Sequence, residues 1–117
     1  MTPEQNKTIH RAIQLFGAEN QKRQAIEELM ELQRAVFENI HRGTDNRDNI
    51  TEEIADVEIM LAQLKKIYGI SELNLEMIKD YKLNRLNTTI EKFQAKKVAT
   101  HQSSVKIDRN TSNGRVD

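Results

Sequence analysis

Six carboxylates stand in two short runs, Glu27-Glu28-Leu29-Met30-Glu31 and Glu52-Glu53-Ile54-Ala55-Asp56. Within each run a three-residue step puts two acids on one side of a helix: Glu28 with Glu31, and Glu53 with Asp56. At about 100° per residue, Val57 falls about 40°, Leu64 about 20° and Met60 about −20° from Glu53. Glu53 therefore sits inside an apolar stripe, with Asp56 at its edge. A carboxylate there is costly unless it is paired or binds a cation. Glu28 and Glu31 flank Ala35, on a strip of small residues beside the main apolar arc of their own helix. If that strip packs on the stripe holding Glu53, four carboxylates converge. Then either some are protonated or a cation is present. An all-oxygen donor set selects a hard ion: magnesium or manganese, with calcium possible. Zinc would normally take His or Cys. Magnesium usually keeps several waters and leaves room for substrate phosphates.

Four helical segments must position these residues. Thr2-Pro3-Glu4-Gln5 reads as a capping box with proline at the first helical position. Ile9, Ile13 and Phe16 give that helix an apolar side, and Gly17 ends it. A second segment spans about 20–41, with Ile26, Leu29, Met30, Val36, Phe37 and Ile40 as its apolar arc and Gly43 as its stop. A polar loop over 43–49 follows. The third helix is expected from Ile50, capped by Asn49 with Glu52 as box partner, and closed by Gly69. Ser71 is placed to cap a fourth, which carries Leu75, Ile78, Leu83, Leu86, Ile90 and Phe93 and fades after Phe93. The expected fold is all-α, a bundle of four main helices. Helices this short bury little alone, so completion by self-association, as a homodimer or homotetramer, is expected.

Composition narrows the function classes. The chain has 117 residues, enough for one domain, and no cysteine, which excludes disulfides and thiolate chemistry. No apolar run has the length to span a bilayer, and the N-terminus has no apolar signal core, so a cytoplasmic setting without membrane contact is expected. Formal net charge is zero. From Ala95 onward five basic residues face two acidic ones, in a Ser-, Thr- and Asn-rich sequence without periodicity. That gives a domain over 1–94 and a disordered polar tail over 95–117. The remaining acidic body, with few aromatic residues, does not suit a nucleic-acid polymer.

The paired runs, EExxE and then EExxD on the next helix, resemble the MazG-like all-α nucleoside triphosphate pyrophosphohydrolases. The similarity covers roughly 9–93. It extends to Tyr81-Lys82-Leu83-Asn84-Arg85 on the following helix and to Asn20-Gln21 ahead of the first run, as in small phage-like members. The resemblance implies cleavage of a nucleoside or deoxynucleoside triphosphate to the monophosphate and pyrophosphate. It implies magnesium, or manganese, on Glu28, Glu31, Glu53 and Asp56. Glu27 and Glu52 then become candidates to orient or deprotonate the attacking water. Lys82 and Arg85 match phosphate-holding residues, with Gln21 and Tyr81 beside the substrate. Asp80 departs from the amide often found near that position.

Other residues carry blander readings. Glu38-Asn39-Ile40-His41 matches half of a di-iron ExxH pair, yet His41 sits at a helix end where it suits the dipole. His10 reads as a surface or interface residue, and His101 lies in the tail. A non-catalytic helical self-association or adaptor protein is the alternative. Such a protein would not need Glu53 within an apolar stripe.

Overall fold

Thr2 accepts a hydrogen bond from the Gln5 amide at 3.1 Å, and Gln5 Oε1 accepts one from the Thr2 amide at 2.9 Å. This box starts α1 (Pro3–Phe16). Gly17, at φ 92°, ends α1 and leads directly into α2 (Ala18–Arg42). Gly43 at φ 63° and Gly69 at φ 63° close α2 and α3 (Arg47–Tyr68) in the left-handed region that glycine adopts without a Cβ penalty. Helix α4 (Glu72–Ser103) follows. The computed structural model describes residues 1–103, with side chains over 1–100. These residues are all-α, with no strand among them. No helix among them is long and apolar enough to cross a membrane.

Helix α3 begins earlier than the sequence suggests. Asn46, not Asn49, precedes its first turn, and Asn46 makes no capping bond. Its side chain instead donates to the Ala35 carbonyl at 2.9 Å, while Asn39 donates to the Thr44 carbonyl at 3.0 Å and to Asn46 Oδ1 at 3.3 Å. Tying the loop back onto α2 takes precedence over capping. Helix α4 also runs past Phe93 to Ser103. Lys, Ala and Gln favour helix even without an apolar stripe, so the fading of periodicity does not end it. The rest of the expected tail, 104–117, lies outside the described residues.

The chain divides into two units, Met1–Ser71 and Glu72–Asp117. In the first, α2 and α3 form an antiparallel hairpin, and α1 packs on both. The seam of the hairpin is the small-residue strip of α2, not its broad apolar arc. Its α2 side is Gln21, Ala25, Glu28, Leu32 and Ala35, all buried or half-buried. Its α3 side includes Val57, Met60 and Gln63, all buried. The broad arc of α2 is exposed: Ile26 by 58%, Phe37 by 55% and Ile40 by 66%. Small side chains let two helices approach closely, so the narrow alanine strip faces inward and the larger residues lie outside it. In the second unit, among its described residues, Leu75 and Leu86 are half-buried, and Leu83, Ile90 and Phe93 are exposed.

Candidate metal centre

The α2–α3 seam brings both acidic runs together. Glu28 comes from the middle of α2, while Glu53 and Asp56 lie one turn apart on α3. One carboxylate oxygen from each can be chosen so that all three lie within 4.8 Å of one another. Glu28 and Glu53 are half-buried, and Asp56 is exposed. Glu53 Oε1 is shut off from solvent and accepts no hydrogen bond from the described residues. Its carboxyl is held above the ordinary value of 4.5, first by desolvation, then by the charges of Asp56, Glu31, Glu28 and Glu52.

Glu31, expected as a ligand, stands outside that trio. Its carboxylate lies 3.8 Å from Arg34 on the same helix, though it is near enough to act on Glu53. Glu27 and Glu52 are exposed. The Gln24 side chain donates to Glu28 Oε2 at 2.8 Å. Gln21, expected beside the substrate, is turned into the seam. It is 8% exposed, and its side-chain nitrogen donates to Gln63 Oε1 at 2.8 Å across the seam. Gln63, 3% exposed, was absent from the sequence-derived site. An amide beside Met60 on the buried side of α3 is the sign that could have marked it.

Tyr81, Lys82 and Arg85 lie exposed on α4, in the second unit. The Arg85 guanidinium carbon is 5.9 Å from the Tyr81 ring centre. His41 packs on Phe37 with ring centres 4.1 Å apart and does not join the acidic trio.

The donor set fits a hard divalent cation. It is all oxygen and repels itself, and it contains a buried carboxylate oxygen that no donor among the described residues satisfies. A cation would answer both the repulsion and the unmet acceptor. It contains no soft or imidazole donor that would favour zinc. Comparison with protein-family models, curated proteins and solved structures gave no match.

Proposed function

We propose that the chain is a magnesium-dependent hydrolase of nucleoside or deoxynucleoside triphosphates, releasing the monophosphate and pyrophosphate, as its resemblance to the MazG-like enzymes implies. The observation that carries the metal part is Glu53 Oε1, buried beside Glu28 and Asp56 and without a hydrogen-bond partner among the described residues. Those three carboxylates would hold the ion, with Glu31 adjacent. When bound, magnesium, or manganese in its place, neutralises phosphate charge and acidifies a bound water. The protein's own part is positional and electrostatic. Glu27 and Glu52, each next to a ligand and open to solvent, are the groups to orient the attacking water or take its proton. The resemblance, and not their placement, gives Lys82 and Arg85 of the second unit the phosphate-holding role; Tyr81 lies near Arg85 on α4.

We take the working form to be a homodimer or homotetramer in the cytoplasm. The exposed arc of α2 supports self-association, since a row holding Ile26, Leu29, Phe37 and Ile40 is a poor match to water.

Two measurements test this reading together. Magnesium should raise the melting temperature relative to a chelator, because an ion that binds only the folded state at 100 times its Kd adds about 2.7 kcal/mol. Pyrophosphate should appear from at least one member of an NTP and dNTP panel, and Glu53→Ala should abolish it while the chain stays helical. No melting shift and no pyrophosphate would leave a non-catalytic self-associating protein as the better account.

A further inference from the structure

The hairpin is under electrostatic load at its centre. Glu28 on α2 faces Glu53 and Asp56 on α3, with Glu31 near enough to add its charge, so without a cation the two helices repel where the site lies. Ties between the helices lie on either side of this point. Towards the loop, Asn46 donates to the Ala35 carbonyl at 2.9 Å. At the open end, Gln21 donates to Gln63 at 2.8 Å. The second tie is in phase with the carboxylates. Gln21 lies two turns before Glu28, and Gln63 two turns after Asp56. In antiparallel helices, the register that pairs Gln21 with Gln63 therefore also sets Glu28 opposite Asp56.

Burial makes this tie selective. Both amides are almost wholly withdrawn from water, so a shift that parts them leaves polar groups unmet in a seam whose other buried side chains are Ala25, Ala35, Val57 and Met60. Apolar contacts are less demanding, because a sliding Met60 or Val57 finds another methyl group. Lys22 reaches over the Tyr68 ring at 4.7 Å nearby, but it is a partly exposed contact with a long, flexible side chain. It does not specify register as a buried amide pair can.

We propose that Gln21 and Gln63 are positioning residues. Their hydrogen bond clamps the open end of the α2–α3 hairpin and holds the facing carboxylates at cation-binding separation. The proposal rests on the metal reading given above.

The test is Mn²⁺ binding to the full chain, followed by the loss of the free-ion electron paramagnetic resonance signal, beside melting in chelator. Gln63→Leu breaks the tie and strands Gln21. The double variant Gln21→Leu/Gln63→Leu removes both polar partners, so the seam stays apolar and the fold survives. Gln63→Glu keeps an acceptor for Gln21. Expected are a Kd for Mn²⁺ about 10–100-fold weaker in the Leu variants, the effect typical of losing a group that orients a ligand. The double variant should lose that affinity with little change in chelator melting temperature, and Gln63→Glu should restore it. A folded double variant that binds Mn²⁺ as the unaltered chain does would overturn the clamp and leave the metal site standing. An unaltered chain that binds no Mn²⁺ would overturn both.

Discussion

Replacing Ala35 by leucine tests which side of α2 faces the protein interior. Ala35 is 2% exposed on the α2–α3 seam, and its neighbour Val36 is 40% exposed on the outer arc. Leucine adds three carbons at position 35 and one at position 36, so the same residue type is introduced a single step apart. At position 35 the seam has no room for it, and side chains or helices must shift. Overpacking of this kind costs about 1–3 kcal/mol. For a unit of this size each kcal/mol lowers the melting temperature by roughly 4–8 °C, so Ala35→Leu should lose about 4–24 °C. Val36→Leu should stay within about 0.5 kcal/mol of the unaltered chain. Urea unfolding followed by far-UV circular dichroism measures both. Forcing the helices apart should also weaken Mn²⁺ binding in Ala35→Leu, since the carboxylates stand on the same seam. Equal stability of the two variants, or the reverse order, would refute the inward placement of the alanine strip and the convergence of carboxylates that depends on it.

Two further outcomes are expected. Glu53 binds its proton more tightly in the folded chain than in the unfolded one. The stability this gives is present below the unfolded value near 4.5 and is lost as pH rises through the raised folded value. In chelator the melting temperature should therefore fall as pH rises across that range, and Glu53→Gln should flatten the profile and melt higher at neutral pH; an unchanged slope in the variant would contradict it. Gly43→Ala places a Cβ where nothing lies within 4 Å, so its cost is conformational alone, about 1–2 kcal/mol at φ 63°. Gly43→Asn should recover much of that loss in denaturant titration, because asparagine tolerates the left-handed region.

Local rules were enough to read the helices. The Thr2–Gln5 box, Pro3, and the glycines at 17, 43 and 69 act within a few residues, so their sequence meaning survives folding. Asn46 shows where that limit lies. Its side chain chose a carbonyl on the preceding helix over its own helix start, a competition invisible without the neighbour. Phe93 shows another. Apolar periodicity reports what a helix packs against, and α4 continues past it on backbone propensity.

The chemistry divides the same way. Residue type and three-residue spacing were sufficient to nominate Glu28, Glu31, Glu53 and Asp56, and the stripe around Glu53 already marked it as the costly one. Which carboxylates meet was a matter of packing. The α2–α3 seam gathers Glu28, Glu53 and Asp56, while Glu31 turns to Arg34. Gln21 carries the clearest lesson. Its resemblance to family members points to substrate, but its side-chain nitrogen is given to Gln63, far along the chain. Helix geometry is fixed by residues within a turn or two, so sequence determines it. The partner of a buried polar group depends on which helix faces depart from water together, and only the tertiary structure decides that.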